Sequence, residues 1–196
     1  RLKEDNSVFV LKDELKAVME SWQYPLHFID FETSAVALPF TKGRKPYEQV
    51  AFQFSHHIVY EDGRIDHHAE YINNKAGEFP NFHFARALKN SLSQDEGSVF
   101  KYATHENSIV NAIIEQLKAS DESDKWELID FLKSISHSKD DSADFWTGDR
   151  DMVDLLEIVK KYYYNPLTKG SNSIKYVLPA VINSSTYLQI KYSKSI

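Results

Sequence analysis

The stretch His27-Phe28-Ile29-Asp30-Phe31-Glu32-Thr33 decides how this chain is interpreted, because an apolar run ends in two closely spaced acids. In an extended strand, side chains i and i+2 share a face, so Asp30 and Glu32 should project together while Phe31 turns to the opposite side. Two carboxylates about 6–7 Å apart on a rigid strand form half of a cage for hard divalent cations. The pattern therefore predicts a metal-binding strand end.

The composition is that of a globular protein, with 42% hydrophobic and 27% charged residues in a chain of 196. This length suits one domain with a sizeable core. No apolar run approaches the ~20 residues that span a bilayer, so we expect no membrane partner. The absence of cysteine excludes disulfides and thiolate zinc sites and favours a cytoplasmic location. Because the first residue is Arg1 and not Met, we expect a piece of a longer chain with neighbouring domains.

The charge is unevenly distributed along the chain. A net charge of −6 argues against a protein that coats nucleic acid, yet no acidic residue follows Glu157. Lysines and tyrosines alternate there instead: Lys160, Lys161, Tyr162, Tyr163, Tyr164, Lys169, Lys175, Tyr176, Tyr187, Lys191, Tyr192 and Lys194. This segment either tracks a single strand by phosphate neutralisation and base stacking, or forms a solvated helix surface with buried tyrosines.

A β-hairpin is predicted over residues 50–72, closed by Asp62-Gly63 in a type I′ turn. That register pairs His57 with His68 on the wet face. It gives one buried face to Phe52, Phe54, Ile58, Tyr60 and Ile65. The histidines at 56, 57, 67 and 68 divide between the two faces and lack an obvious third ligand, so a metal site there is disfavoured.

Helical spacing of apolar residues follows and also precedes these strands. The first predicted helix runs from Val8 to about Trp22. Further helices are expected with N-caps at Asn81, Thr104, Asp124 and Asp149. Antiparallel strands early in the chain, then strands alternating with helices, predict a mixed α/β domain.

A second acidic element lies at the strand-to-helix junction Tyr102-Ala103-Thr104-His105-Glu106-Asn107. Open α/β sheets gather ligands at such junctions, which makes Glu106 a candidate. An acid in the first helical turn is also favoured by the helix dipole without any function. Asp154 is a third candidate: it is either a ligand or an acid near a helix start, as Asp149 and Asp151 also are.

Two resemblances follow from these motifs. Asp30-Phe31-Glu32-Thr33 resembles the first motif of the DEDD exonucleases, which have a ribonuclease-H-like fold. Most of the chain resembles an uncharacterised bacterial domain family of unknown function assigned to that superfamily. Its marks are 27–33, 102–107, Met152-Val153-Asp154-Leu155, and Gly170-Ser171-Asn172-Ser173-Ile174-Lys175-Tyr176-Val177-Leu178-Pro179. The resemblance implies an α/β fold, a ribonuclease-H-like mixed sheet flanked by helices, as one domain over residues 1–196.

The resemblance also implies a function. The chain would be a metal-dependent nuclease, 3′–5′ exonuclease-like, that cleaves phosphodiester bonds of DNA or RNA with two Mg²⁺ or Mn²⁺ ions. Asp30, Glu32 and Glu106 are the implied metal ligands, and Asp154 joins them as a catalytic candidate. The implied partner is single-stranded nucleic acid.

One departure from the superfamily leaves alternatives open. Its last carboxylate should follow the segment 171–179, but no Asp or Glu follows Glu157. We therefore expect a domain truncated at its C-terminal end, or else a catalytically incomplete nuclease-fold module that binds nucleic acid or a protein partner. A glycoside hydrolase is a third class, for which an i, i+2 carboxylate pair lies closer than such enzymes need.

Overall fold

The computed structural model describes residues 7–139 and 142–192. In chain order the elements are β1 (Phe9–Val10), α1 (Lys12–Glu20), β2 (Leu26–Ser34), β3 (Val50–Val59), β4 (Ile65–Ile72), α2 (Asn81–Leu92), β5 (Val99–Lys101), α3 (His105–Lys118), α4 (Lys125–Ser134), β6 (Val153–Asp154), α5 (Leu155–Tyr162), β7 (Tyr163–Tyr164), a 3₁₀ turn (Pro166–Thr168), α6 (Ile174–Asn183) and α7 (Thr186–Tyr192). Trp22–Val153 form one compact unit, and the chain before and after them forms a second. The single domain over 1–196 stays a prediction.

A mixed five-stranded sheet organises the larger unit, in the order β4-β3-β2-β5-β6. Strand β2 is antiparallel to β3 and parallel to β5, and β3 is antiparallel to β4. The mixed α/β class predicted from the sequence is thereby confirmed.

The core lies between one face of this sheet and helices α2, α3 and α4. Strand β2 contributes Ile29 and Phe31 to it, and the helices contribute apolar side chains at helical spacing. The fully buried side chains include Phe54, Phe84, Leu88, Leu92, Ile109, Ile113, Ile114, Leu117 and Leu132. Burial of each such side chain stabilises the fold by about 1.5–3 kcal/mol, so this face holds the sheet rigid.

The hairpin forms where it was predicted, but with a different turn and register. The Gly63 N–H donates to the Tyr60 carbonyl at 2.9 Å, and Gly63, but not Asp62, has a positive φ of 82°. This is a three-residue loop with glycine in the left-handed position instead of a type I′ turn. This loop pairs His57 with His67, so the predicted His57–His68 pair is wrong. A bulge between His56 and His57 then restores the predicted register, with His56 opposite Ala69. Ile65, expected in the core, is 58% exposed.

Several predicted helix starts are also corrected. The first helix begins at Lys12, because Phe9–Val10 form a strand. Neither Thr104 nor Asp124 makes a side-chain cap bond. Asn81 lies inside its helix, and its amide bridges the Ala51 N–H and the Gln49 carbonyl at 2.8 and 2.9 Å. These side chains serve contacts between distant elements, which a local cap rule does not anticipate.

The smaller unit is built around a two-stranded ribbon. Strand β1 pairs antiparallel with β7, and α1 packs on α5. The buried Asn165 donates to the Ser184 hydroxyl at 2.7 Å and accepts from the Leu167 N–H at 2.9 Å, which ties the 3₁₀ turn to α6. In the part of the chain that the structure describes, no helix is long and apolar enough to cross a membrane.

Candidate functional site

The carboxylates Asp30 and Glu32 lie together on the face of β2 opposite the core, as alternation predicted. Both are exposed, whereas Phe31 between them is buried. Their antiparallel neighbours on β3 are the uncharged Ser55 and Gln53. Across residues 7–139 and 142–192, neither carboxylate makes a hydrogen bond or an ion pair. Two like charges thus face solvent with no protein cation against them.

The second acidic element leaves the sheet at the same edge. Because β2 and β5 are parallel, with Phe28 opposite Phe100, the chain after each strand emerges on the same side. Ala103 turns the chain with a positive φ of 74°, and α3 then begins at His105. The His105 Nε2 lies 3.1 Å from the Thr33 hydroxyl. A hydrogen bond therefore ties the first turn of α3 to the end of the carboxylate strand.

Glu106 occupies that first turn, but it is turned into the fold. Its side chain is 4% exposed, in contrast with Asp30 and Glu32. The neighbouring Lys101 is also buried, and its Nζ donates to the Ala103 carbonyl at 2.9 Å. The element that presents Glu106 thus adjoins the strand end, while the carboxylate itself belongs to the interior.

Asp154, the remaining candidate, is the N-cap of α5. Its Oδ1 accepts the Leu156 N–H at 2.8 Å. The helix expected from Asp149 therefore begins five residues later, at Leu155. Of the two interpretations of Asp154 from the sequence, the acid at a helix start has a direct structural basis.

Within the described residues, no group of three or more histidine, aspartate or glutamate side chains is arranged to hold a metal ion. The pair Asp30 and Glu32 nevertheless has the donor chemistry of Mg²⁺, which proteins bind through one or two carboxylates with water and substrate phosphate completing the shell. These two residues fit such an ion.

The exposed histidine pair on the outer face of the sheet is a poor metal centre. His67 Nδ1 lies 3.0 Å from His57 Nε2, while His67 Nε2 lies 3.3 Å from a Glu70 oxygen. The two partners thus bind opposite nitrogens of the His67 ring and do not face a common point.

Behind the carboxylates, a buried polar chain crosses the core. His27 Nε2 lies 2.8 Å from Asp95 Oδ1, and His27 Nδ1 lies 2.9 Å from His56 Nε2. His56 Nδ1 in turn lies 2.5 Å from the Ser91 hydroxyl. This chain links β2, β3, the end of α2 and the loop before β5. The one sign of this chain in the sequence is His27, a histidine in an otherwise apolar run. The partners of His27 are too far away in sequence to be predicted from that run.

The proton positions along this chain follow from its end at Asp95. A carboxylate only accepts, so His27 Nε2 carries a proton and His27 Nδ1 is left as an acceptor. His56 must then donate from Nε2, and its Nδ1 accepts from Ser91. Every polar atom is satisfied with both imidazoles neutral, as buried polar groups require.

Burial sets the protonation of these groups. Burial, with the nearby His27 and His68, lowers the pKa of His56 to about 3. Burial also lowers the pKa of His27, against the opposing hydrogen bond to Asp95. Burial alone would raise the pKa of Asp95, but hydrogen bonds from the Gly97 N–H and His27 lower it below its usual value.

Gly97 and Arg150 close the far end of the chain. The Gly97 N–H donates to Asp95 at 2.8 Å, and the Arg150 guanidinium donates to the Gly97 and Leu92 carbonyls at 2.7 and 2.6 Å. A Cβ on Gly97 would lie 1.9 Å from the Pro25 carbonyl oxygen and 2.7 Å from His27 Nε2. The backbone of this loop is therefore in direct contact with the start of β2.

A cleft of about 660 Å³ opens at Thr33, directly after the two carboxylates. Its walls come from the loops 34–49 and 73–80. Three aromatic rings line it, namely Phe40, Phe52 and Phe79, together with the cations Arg44, Lys45 and Lys75 and the acids Glu48 and Glu78. Phe40 is 73% exposed, and the Arg44 guanidinium lies 3.6 Å from the centre of the Phe79 ring. The volume is within the range of small-molecule sites.

The basic segment after Glu157 is of mixed character. Tyr162 is buried, as the structural interpretation of this segment expected, whereas Tyr187 and Tyr192 are more than half exposed. Lys191 lies 5.9 and 5.3 Å from the ring centres of those two tyrosines. One end of the segment therefore presents a cation with two accessible rings.

The protein is therefore of the mixed α/β class. Its sheet is flanked by helices, and two exposed carboxylates lie at the end of the central strand. Residues 27–173 match the family model of a domain of unknown function, DUF2779. The chain belongs to this family. No curated protein and no solved structure matches it.

Proposed function

We propose that this protein is a metal-dependent nuclease, 3′–5′ exonuclease-like, that hydrolyses phosphodiester bonds of single-stranded DNA or RNA with two Mg²⁺ or Mn²⁺ ions. The observation that carries the proposal is the strand end: Asp30 and Glu32 are exposed on one face, and within residues 7–139 and 142–192 neither forms an ion pair. A carboxylate pair of this kind, left to solvent on a rigid strand, matches hard divalent cations. The mixed sheet flanked by helices agrees with the ribonuclease-H-like fold of the proposal.

The proposed roles follow from position. Asp30 and Glu32 would hold the ions, and Glu106, tied to the strand end through His105 and Thr33, would complete the ligand set. Asp154, the N-cap of α5, stays a catalytic candidate from the family resemblance alone. Bound divalent ions supply charge neutralisation at the phosphate and a lower pKa for an attacking water. His105 would position the first turn of α3 against the strand.

The cleft beside Thr33 supports a single-stranded substrate. Accessible rings stack unpaired bases, and each stacked base contributes about 1–3 kcal/mol. Phe40, which is 73% exposed, supplies such a ring, and Lys45 supplies a charge that attracts phosphates. A base pair in a duplex does not offer its ring faces, so the cleft favours an unstacked strand.

Hydrolysis of a labelled single-stranded oligonucleotide in Mn²⁺ tests the proposal. Asp30→Ala should abolish the activity, because it removes one of two ligands on the strand. Asp130→Ala is the matched control, an exposed aspartate on α4 that should leave the rate unchanged. Full activity in Asp30→Ala would refute the assignment.

A binding module without catalysis is the second candidate, favoured by the burial of Glu106. It predicts oligonucleotide or protein binding with no carboxylate-dependent Mn²⁺ site. Calorimetry with Mn²⁺ on the unmodified chain and on Asp30→Ala separates the two candidates. Equal heats in both would favour the binding module.

A further inference from the structure

The main chain of His137 is fixed by two asparagines of α3. The Asn107 amide accepts from the His137 N–H at 3.1 Å and donates to the His137 carbonyl at 3.0 Å. The Asn111 amide donates to the same carbonyl at 2.9 Å. Both asparagines are buried, and an antiparallel bridge to Thr147 holds His137 from the other side. A loop residue between α4 and β6 is thereby set in a defined position.

The imidazole of His137 is oriented by Asp151. Its Nδ1 lies 2.9 Å from both oxygens of the Asp151 carboxylate. Because the carboxylate only accepts, Nδ1 carries the proton and Nε2 of the neutral ring keeps its lone pair. The side chain is 39% exposed, and Nε2 makes no hydrogen bond within residues 7–139 and 142–192.

A purely structural role accounts for only part of this arrangement. The asparagines satisfy the backbone of a loop, and they would do so for any residue at position 137. A surface ion pair contributes about 0–1 kcal/mol, so His137 and Asp151 add little stability. An imidazole on a fixed backbone, with a carboxylate on one nitrogen and the other nitrogen open, is the arrangement that proton transfer requires.

We propose that His137, oriented by Asp151, is the proton-transfer residue of the phosphodiester hydrolysis proposed above, on which this inference rests. Asn107 directly follows Glu106, so the clamp on His137 is built on the same turn of α3 as that candidate ligand. His137 Nε2 takes a proton from the attacking water as the water oxygen bonds to phosphorus. The P–O3′ bond breaks, the leaving oxygen takes a proton from solvent, and His137 later returns its proton to solvent.

The pH dependence of Mn²⁺-supported hydrolysis tests this role. His137→Gln should lower the rate roughly 10²- to 10⁴-fold and remove the acid limb of the pH–rate profile. Asp151→Asn should cause a smaller loss, because the imidazole loses the carboxylate that orients it. Mn²⁺ binding by calorimetry should not change in either variant. His83→Gln is the matched control, since His83 is an exposed histidine 3.1 Å from Glu78.

A second measurement does not depend on activity. Nitrogen NMR of the intact chain should show His137 as the Nδ1–H tautomer, and Asp151→Asn should convert it to a mixture. An Nε2–H tautomer in the unmodified chain would overturn the dyad. If His137→Gln does not fold, carbethoxylation mapped to His137 by mass spectrometry replaces it, and full hydrolysis after modification would overturn the proposal.

The outcomes separate the two proposals. An unchanged pH profile in His137→Gln, with activity still abolished in Asp30→Ala, refutes the dyad and leaves the nuclease standing. Loss of the acid limb in His137→Gln but not in His83→Gln supports both. No hydrolysis by the unmodified chain overturns both.

Discussion

Polar side chains at the two ends of strand β2 have opposite surroundings: they are buried and hydrogen-bonded at one end and exposed at the other. At His27 each ring nitrogen has a partner, and the chain of hydrogen bonds continues through His56 to Ser91. Three residues later, Asp30 and Glu32 face solvent with no partner in the described parts of the chain. Polar groups inside must be satisfied, whereas exposed carboxylates are satisfied by water. The first end of the strand therefore serves the fold, and the second end is free to serve a ligand.

Removing His27 should have the largest effect on stability. His27→Ala leaves His56 Nε2 without its partner, removes one of the hydrogen bonds to the Asp95 carboxylate and opens a cavity, at a cost of about 3–5 kcal/mol. Urea unfolding followed by circular dichroism measures it. His83→Ala, at an exposed position, should change the free energy of unfolding by less than about 0.5 kcal/mol. If His27→Ala lowers the free energy of unfolding only slightly, the proposed difference between the two ends of β2 is wrong.

Acid should weaken the buried end before it affects the exposed one. The pKa of His56 is about 3 in the folded chain and 6.5 when unperturbed, so its contribution to stability is complete above pH 6.5 and is lost as the pH falls toward 3. Lowering of the pKa of His27 acts in the same direction. Each histidine contributes at most about 1.4 kcal/mol per pH unit in this window.

The titratable and charged groups that act on this cluster are His57, His68, Asp95 and Arg150. The lowered pKa of Asp95 adds a loss of stability only below its unperturbed value of 3.8. Urea unfolding at a series of pH values checks the prediction, and His56→Phe should flatten the dependence between pH 6.5 and 4. An unfolding free energy independent of pH in the unmodified chain would contradict it.

The exposed end should respond to metal instead. Mn²⁺ at about 100 times its Kd should stabilise the folded chain by about 2.7 kcal/mol, seen as a rise in Tm. The double variant Asp30→Asn, Glu32→Gln should abolish this rise. It should also be slightly more stable without metal, by a few tenths of a kcal/mol, because a like-charge repulsion is gone. Asp130→Asn should respond to Mn²⁺ as the unmodified chain does. An undiminished rise in the double variant would place the ion elsewhere.

The smallest effect concerns a carboxylate with a defined structural partner. Asp154→Ala should destabilise the chain by about 1 kcal/mol, because α5 loses its N-cap. Asp154→Ser keeps a capping oxygen and should retain most of that stability. If Asp154→Ser is stable and loses Mn²⁺-dependent hydrolysis, Asp154 is more than a cap. If Asp154→Ser hydrolyses the substrate normally, Asp154 acts only as a helix cap, unlike the proposed metal ligands Asp30 and Glu32.

Much of the fold was predictable because it depends on local periodicity. The alternation along β2 predicted that Phe31 would be buried between two exposed acids, and it is. Apolar spacing located the helices of the core. Turn chemistry placed the hairpin correctly but missed the pairing next to the turn by one residue, because a three-residue loop replaced the two-residue turn. A bulge between His56 and His57 restores the predicted register beyond it.

What could not be predicted depends on partners far apart in the chain. His27 is satisfied by Asp95, 68 positions later, and no local rule connects them. Asn81 and Asp124 looked like caps, but their side chains bind Gln49 and Arg86 across the fold. Likewise, the His137–Asp151 pair is made by the closure of a loop whose two sides carry no periodic signal. The proposed metal site lies between these cases: the exposure of Asp30 and Glu32 on β2 was predictable, and a third ligand was not.

At Gly97 we expect no substitution to be tolerated. Its backbone conformation is one that any residue adopts, so the constraint is space alone: a methyl group there would overlap the Pro25 carbonyl. Gly63 is the reverse case, with open space around it and a left-handed backbone that asparagine tolerates. In a library of single substitutions we expect position 63 to accept asparagine and position 97 to accept glycine alone. Among descendants of this sequence, the loop before β5 should remain the same length and shape while its surroundings diverge.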